Sequence, residues 1–370
     1  MKILLIFGCA ALDLAVCAFG QSQSSSNLPD LAPAAVRADA AVDQQSHLQN
    51  SIDPIINSNV NPSSASRDSD DEQQGSALTI KKNVNEVNVV FTVTDGHGHF
   101  VKDLAENNFR VLDDNKPQQI LSFRSETDLP LRVGLLIDVS DSIRERFKFE
   151  QEAAVEFLSQ TIRQKTDKAF VVGFNAVAEL TQDYTDDAGE LARGVRALRP
   201  GGSTALFDTI YYTCRKKLMD PLANLEDNRR AIILLSDGDD NQSRFTLGEA
   251  IEMAQRAKVI IYAISTNTTG QKTRGDKILE EFAGTTGGRL FRPNKLQEVT
   301  RAFADIQSEL RSQYAISYHP SDFVPDGRYR RIDIDAKARE KLKVRARKGY
   351  YAPQAIAATS QNEPPPSTEK

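Results

Sequence analysis

The sequence predicts an α/β fold, a doubly wound and mainly parallel sheet inserted into an all-β sandwich. Between residues 130 and 312, short apolar runs alternate with helical stretches, a pattern typical of a buried parallel sheet with helices on both faces. On both sides of that segment apolar and polar residues alternate one by one, which indicates antiparallel strands. Each flank alone is too short to bury a core of its own.

The composition is that of a globular protein with a mildly acidic charge. Hydrophobic residues make up 40% of the 370, and 46 Lys and Arg side chains face 51 Asp and Glu side chains, for a net charge of −5. These values exclude a collagen-like or wholly disordered chain, and the length suggests about two domains. The chain has no basic footprint and no Trp, so a nucleic-acid partner is not expected.

Residues 1–20 are expected to be a secretory signal peptide. A positively charged start is followed by an apolar run that Asp13 interrupts, and small residues precede a cleavage site after Gly20. The protein is therefore expected to be secreted or to reside in the periplasm or cell envelope. The bulky Val16 argues against lipoprotein processing at Cys17. No later apolar run approaches the length of a membrane span, so no transmembrane segment is expected after signal cleavage.

Two further segments are expected to be disordered. Residues 21–77 are rich in Ser, Gln, Asn and Asp and contain no aromatic residue. Residues 354–370 form a similar tail with three consecutive prolines. Such segments bury too little apolar surface to offset the entropy of ordering.

The flanking segments, residues 78–129 and 313–353, carry the two-residue period. The first contains about four strand-like runs and the second about three, separated by Gly, Asp and Asn clusters. Together they supply enough strands for one antiparallel sandwich that the central segment interrupts. The alternative is two separate hairpin appendages on the central domain.

The central segment, residues 130–312, contains four apolar runs rich in β-branched residues, at residues 133–137, 169–174, 231–235 and 259–264. Helical stretches are predicted at residues 143–164, 187–198, 206–219, 247–257, 277–285 and 296–313. Cys214, the single cysteine left after signal cleavage, falls in the third stretch. A lone cysteine excludes an intramolecular disulfide, and a buried hydrophobic role is expected for it.

Polar side chains follow the strands at three loops of this segment. The first apolar run ends in the sequence Asp-Val-Ser-Asp-Ser, a second loop reads Gly-Gly-Ser-Thr, and the third run ends in Ser-Asp-Gly. Loops beyond the carboxyl ends of parallel strands meet at one edge of a sheet. Carboxylates and hydroxyls without imidazole or thiolate suit Mg²⁺, Mn²⁺ or Ca²⁺. The sequence therefore predicts a site for one of these hard divalent cations at this edge of the sheet.

This three-part pattern resembles the von Willebrand factor type A domain, the fold of integrin inserted domains, over about residues 131–310. All five positions of that family's metal-ion-dependent adhesion site are matched. The resemblance implies that the hydroxyls of Ser140, Ser142 and Thr204 contact a divalent cation, while Asp138 and Asp237 act directly or through bound water. The whole chain resembles secreted bacterial proteins in which this domain is embedded between β segments.

The resemblance implies a binding function. Mostly neutral ligands leave a cation with an open or water-filled position, and an Asp or Glu carboxylate of a protein partner suits that position. The favoured hypothesis is therefore a secreted or envelope protein for adhesion or assembly that binds an acidic partner through the cation. The alternative is a structural or chaperone-like envelope protein whose metal site is only stabilising.

An enzyme is not expected. The four histidines, His47, His97, His99 and His319, all lie outside the central segment, so a Ser/His/Asp triad there is excluded. No P-loop or dinucleotide-binding glycine motif is present, and Ser140 stands where phosphotransfer chemistry would need a second acid.

Two further motifs have competing interpretations. Arg274-Gly275-Asp276 spells a tripeptide that integrins recognise, but a helix start capped by Asp276 is favoured over ligand mimicry. The acidic run Asp239-Asp240-Asn241 either adds carboxylates or a second cation near the site or, as favoured, is a solvated loop.

Overall fold

The structure, a computed structural model, describes residues 86–125, 129–141, 144, 146–219, 228–267, 269–337 and 341–354. The predicted signal peptide, the leader at residues 21–77 and residues 355–370 of the predicted tail lie outside the described residues, and so does Ser142. The domain boundaries stay predictions.

Strands and helices of the described residues alternate in the centre and give way to strands alone at both ends. In chain order the strands are β1 (Val87–Thr94), β2 (Phe109–Asp113), β3 (Lys116–Gln118), β4 (Ile120–Ser125), β5 (Leu131–Asp138), β6 (Lys168–Phe174), β7 (Ala178–Thr185), β8 (Arg229–Ser236), β9 (Val259–Ser265), β10 (Leu290–Phe291), β11 (Gln313–Tyr318), β12 (Tyr329–Ala336), β13 (Lys343–Ala346) and β14 (Gly349–Tyr351). The helices are α1 (Phe147–Thr161), α2 (Ala188–Ala197), α3 (Leu206–Thr213), α4 (Leu247–Arg256), α5 (Arg274–Thr286) and α6 (Leu296–Leu310).

The central sheet has the strand order β10-β9-β8-β5-β6-β7 among the described residues. All neighbouring pairs are parallel except β6 and β7, which are antiparallel. The predicted, mainly parallel sheet is thereby confirmed, with one additional strand at each edge, β10 and β7. The turn between β6 and β7 is too short for a crossover, so the chain returns as a hairpin. No sequence signal marked β7, because an edge strand with exposed and half-buried residues has no continuous apolar run.

Helices cover both faces of the central sheet, as a doubly wound fold requires. One hydrophobic cluster joins alternate residues of β5, such as Leu135 and Ile137, to α1, α2 and α6. The other joins Leu136, together with Phe170 and Val172 of β6, to α3, α4 and α5. The side chains of a strand point alternately to the two faces, and this alternation divides β5 between the two cores.

Some helix bounds differ from the predicted ones. Helix α1 begins at Phe147 rather than at residue 143, and α5 begins at Arg274 rather than at residue 277. Helix α3 ends at Thr213, and a wide π-helical turn continues from Cys214 to Leu218. Cys214 is fully buried, as predicted, and burial raises the pKa of its thiol.

The flanking strands pair across the whole length of the central segment. They form two four-stranded sheets, in the orders β13-β1-β11-β4 and β14-β12-β2-β3. Each sheet takes strands from both flanks, and β1 runs antiparallel to β11 with Val89 opposite Ile316. One hydrophobic cluster contains residues of both sheets, among them Phe91, Phe109 and Ile332. Eight flanking strands are described, against the seven that the sequence predicts.

Among the described helices, none combines the length and hydropathy that crossing a membrane requires.

Candidate metal centre

Two of the three predicted loops leave adjacent strands of the central sheet. Strand β5 ends at Asp138, and the neighbouring parallel strand β8 ends at Ser236, directly before Asp237. Because parallel neighbours end at the same edge, both carboxylates lie at the carboxyl end of the sheet. The Ser236 hydroxyl donates a hydrogen bond to Asp138 Oδ2 at 2.8 Å and joins the two strand ends.

Asp138 is fully buried, and both of its carboxylate oxygens accept hydrogen bonds. Oδ1 accepts from the backbone N–H of Ser140 at 2.9 Å, and Oδ2 accepts from Ser236. Burial raises the pKa of Asp138 to about 6, against the lowering effect of hydrogen bonds from Ser140 and Ser236, and Asp237 adds to the increase. The protein therefore fixes the orientation of this carboxylate but disfavours its charge, which a nearby cation would favour.

The loop that carries Thr204 is attached to the chain around Ser140. Gly201 donates its N–H to the carbonyl of Val139 at 2.6 Å, and Asp141 donates its N–H to the carbonyl of Gly202 at 3.2 Å. Gly201 and Gly202 both have positive φ angles, 157° and 97°, which allow the tight path of this loop. Ser140 and Thr204 are both buried. The structure thus joins the two loops from which these hydroxyls come.

Asp237 is half-buried at the start of the third loop. Its Oδ1 accepts the N–H of Asp239 at 3.1 Å. The backbone beside it packs closely on the start of α5, where a Cβ added to Gly275 would lie 2.0 Å from the Asp237 carbonyl oxygen. Helix α5 therefore sets the position of the Asp237 backbone.

Four of the five predicted metal residues thus lie at one edge of the central sheet, Asp138 at a strand end and the other three on loops. The fifth, Ser142, lies outside the described residues. The four offer carboxylate and hydroxyl oxygens, the donor set that Mg²⁺, Mn²⁺ and Ca²⁺ prefer. In the described part of the chain, no three His, Cys, Asp or Glu side chains form a metal cluster. The predicted set does not require such a cluster, because it contains two carboxylates and its other members are hydroxyls.

Sequence reasoning missed Glu150, a buried acid on α1. Its side chain is about 1% exposed, and burial raises its pKa to about 7. Arg146 opposes that increase with its Nε atom 3.9 Å from Glu150 Oε1, while Asp138 adds to it. Helical spacing places Glu150 on the same face as buried Ala154 and Phe157. The sequence therefore does indicate an acidic residue on the apolar face of this helix.

The two motifs with competing interpretations both have structural roles. Asp276 is about 1% exposed, accepts the Ser265 hydroxyl at 2.6 Å and accepts the N–H of Thr273 at 2.9 Å in a capping box. Its carboxylate is therefore inaccessible to a partner, and the favoured helix start is observed. Asp240 accepts the N–H of Phe207 at 3.0 Å and so caps α3 instead of extending into solvent.

Residues 133–307 match the family model of the von Willebrand factor type A domain. No curated protein matches the chain. A solved structure of proximal thread matrix protein 1 from the mussel byssus is 16% identical with a TM-score of 0.43 and covers 53% of this chain. The chain spans 50% of that protein, and another structure of it is described as having a zinc-occupied MIDAS motif.

Two bacterial structures show a comparable likeness. The PilB minor pilin from Streptococcus sanguinis is 14% identical with a TM-score of 0.40, over 50% of this chain and 62% of that one. The conserved hypothetical protein BatB from Bacteroides thetaiotaomicron is 16% identical with a TM-score of 0.38, over 48% of this chain and 99% of that one.

Proposed function

Residues 133–307 form a von Willebrand factor type A domain, and on that premise we propose that the protein binds a divalent cation and, through it, an acidic side chain of a protein partner. Asp138, Ser140, Thr204 and Asp237, with Ser142 from the predicted set, hold the cation. Mg²⁺ is the proposed ion, with Mn²⁺ and Ca²⁺ as alternatives. The protein acts in adhesion or assembly, is secreted or resides in the cell envelope, and is not an enzyme.

Asp138 is the observation that supports this proposal most directly. A fully buried carboxylate whose pKa is raised to about 6 is costly to ionise without a positive partner. Its hydrogen bonds to Ser140 and Ser236 hold it at the loops that also carry Thr204 and Asp237. The set therefore has the charge and the rigidity that a cation site needs.

The balance of charge in the set supports binding of an acidic group. Three of its five members are neutral hydroxyls. A divalent cation that these hydroxyls contact directly, with a carboxylate acting through bound water, keeps much of its charge and an open or water-filled coordination position. A carboxylate is the hard, anionic oxygen ligand that such a position favours. The partner is thus identified by its chemistry as a protein surface with an accessible Asp or Glu.

Replacing Asp138 by Ala is expected to abolish stabilisation by metal without unfolding the domain. The wild-type melting temperature should rise in millimolar Mg²⁺ relative to EDTA, because a ligand bound to the folded state alone stabilises it. A loss of about 2 to 3 kcal/mol in binding weakens affinity about 30- to 150-fold. Circular dichroism should remain native, and Thr204→Ala should show a milder loss of the same kind.

The control for this experiment is Asp183→Ala, since Asp183 is an exposed acid on the edge strand β7, which β6 separates from β5. It should keep the full Mg²⁺ response. If the melting temperature of the wild-type protein does not rise in Mg²⁺, Mn²⁺ or Ca²⁺, the metal proposal is wrong and a structural envelope role replaces it.

The partner is tested by capture from an envelope extract, which EDTA and Asp138→Ala should both abolish.

We also propose that the flanking strands form a single sandwich. Strand β11 lies between β1 and β4, so both of its neighbours come from the N-terminal flank. A truncated protein of residues 130–353 keeps β11 but lacks β1 and β4, the strands that pair with it. Its two unpaired edges and the newly exposed side chains of Tyr314 and Ile316 should cause aggregation. A chain of residues 130–313 should be soluble and bind metal. Equal solubility of the two chains would instead favour independent appendages.

A further inference from the structure

Helix α3, which follows Thr204, has no N-terminal cap of its own. Its first residue is preceded by Ala205, whose side chain cannot accept a hydrogen bond. The free N–H groups of a helix start need partners, and here another loop supplies them. The N–H of Phe207 donates to Asp240 Oδ2 and the N–H of Asp208 donates to Ser243 Oγ, each at 3.0 Å.

The same loop holds the backbone of Thr204 itself. Asn241 Oδ1 accepts the N–H of Thr204 at 3.1 Å. The carbonyl of Thr204 in turn accepts the N–H of Asn241 at 3.0 Å and that of Gln242 at 3.1 Å. Both backbone groups of a proposed metal residue are therefore bonded to Asn241.

The attachment is reciprocal, which makes the loop and the helix start one rigid unit. Asp208 Oδ1 accepts the N–H groups of Arg244 and Phe245 at 2.8 and 2.9 Å. We call residues 240–245 the clasp. The clasp begins three residues after Asp237, so it ties the backbone of Thr204 to the loop that carries the second carboxylate of the site.

We propose that Asn241 is a positioning residue of the metal site, which fixes Thr204 relative to Asp237 and thereby sets the preference for Mg²⁺ over Ca²⁺. This inference rests on the proposed function. Mg²⁺ requires near-octahedral ligands at about 2.0 to 2.1 Å, whereas Ca²⁺ accepts irregular sets at about 2.3 to 2.6 Å. A site in which Thr204 is held loosely therefore loses Mg²⁺ before it loses Ca²⁺.

The test measures Mg²⁺ and Ca²⁺ affinity separately, by calorimetric titration of the full chain carrying Asn241→Ala. Loss of a group that orients a ligand commonly weakens metal binding about 10- to 100-fold, and we expect about tenfold for Mg²⁺ with a clearly smaller loss for Ca²⁺. Asn241→Asp keeps the acceptor oxygen and should restore the wild-type ratio of the two affinities. Gln242→Ala is the matched control, because Gln242 donates a hydrogen bond to the Thr204 carbonyl through its backbone N–H, and the substitution preserves that group.

The outcomes separate this inference from the function on which it rests. Absence of any cation binding by the wild-type chain would overturn the proposed function and this inference with it. Wild-type binding with an unchanged Mg²⁺ to Ca²⁺ ratio in Asn241→Ala would overturn the inference alone, as would equal losses for both ions. If Asn241→Ala does not fold, Asn241→Ser, whose shorter side chain retracts the acceptor, provides the same comparison.

Discussion

Replacing Glu150 by Gln is expected to stabilise the folded protein at pH 8 in EDTA by about 3 kcal/mol. The side chain is about 1% exposed, and among the described residues neither of its carboxylate oxygens has a hydrogen-bond partner. Arg146 offers a single long contact of 3.9 Å, which is a weak compensation for removing a charge from water. The ionised form of Glu150 is thus a cost to the folded state, and an amide of the same shape removes that cost.

The direction in which stability changes with pH follows from the number of protons that the folded and unfolded states bind. Burial raises the pKa of Glu150 from 4.5 to about 7 in the folded protein, so between these values the folded state binds more protons than the unfolded state. Stability due to this group is therefore lost as the pH rises through that window. A pKa difference of one unit corresponds to about 1.4 kcal/mol, and the full loss is reached above pH 7. Below pH 4.5 the wild-type protein and the variant should converge.

Urea unfolding at several pH values between 4 and 8 measures this effect. The free energies of unfolding of wild type and Glu150→Gln should diverge steadily with rising pH. Glu156→Gln, an exposed change on the same helix α1, is the matched control and should follow the wild type throughout. A constant difference between the variant and the wild type across the pH range would show that Glu150 does not titrate in this window.

Local patterns were sufficient to predict the four inner strands of the central sheet and the loops of the site. The apolar runs that became β5, β6, β8 and β9 needed no tertiary information, because strands buried on both faces are apolar throughout. The positions of Asp138 and Asp237 followed from the ends of two such runs. The match of residues 133–307 to the family model confirms the resemblance that these loops carried.

Features that depend on contacts between distant segments were not predictable in the same way. The cap of α3 comes from Asp240, thirty-three residues after Phe207 in sequence, and no local motif indicates such a pairing. The acidic run that contains Asp240 was accordingly interpreted as a solvated loop. Glu150 is hard to predict for a different reason, since the apolar residues of α1 define its buried face and a single acid on that face leaves the helical pattern unchanged.

Replacing Gly275 by Ala is expected to destabilise the protein by about 3 kcal/mol, the upper end of the usual range for overpacking. A Cβ at this position would lie 2.0 Å from the carbonyl oxygen of Asp237 and 2.9 Å from the carbonyl carbon of Gly238. These are backbone atoms of a short loop, so no side-chain rotation relieves the contact. Either α5 or the loop that carries Asp237 must move.

The same substitution should therefore weaken metal binding as well as folding. Any shift of the loop displaces the Asp237 backbone relative to Asp138, which lies at the end of the neighbouring strand β5, and the stabilisation by Mg²⁺ should fall with it. Gly284→Ala is the matched control on helix α5, where an added Cβ meets no atom of another segment within 4 Å. Replacing a helical Gly by Ala should stabilise by up to about 1 kcal/mol.

Urea unfolding with and without Mg²⁺ compares the two variants directly. Wild-type stability and a full Mg²⁺ response in Gly275→Ala would contradict the close packing of α5 on the Asp237 loop. The expected result instead gives the tripeptide Arg274-Gly275-Asp276 a structural basis. Its Gly is required because the backbone of Asp237 occupies the space of a side chain, and its buried Asp caps the helix by accepting the N–H of Thr273. Close packing explains Gly275 and helix capping explains Asp276, so integrin-like recognition is not needed to account for the motif.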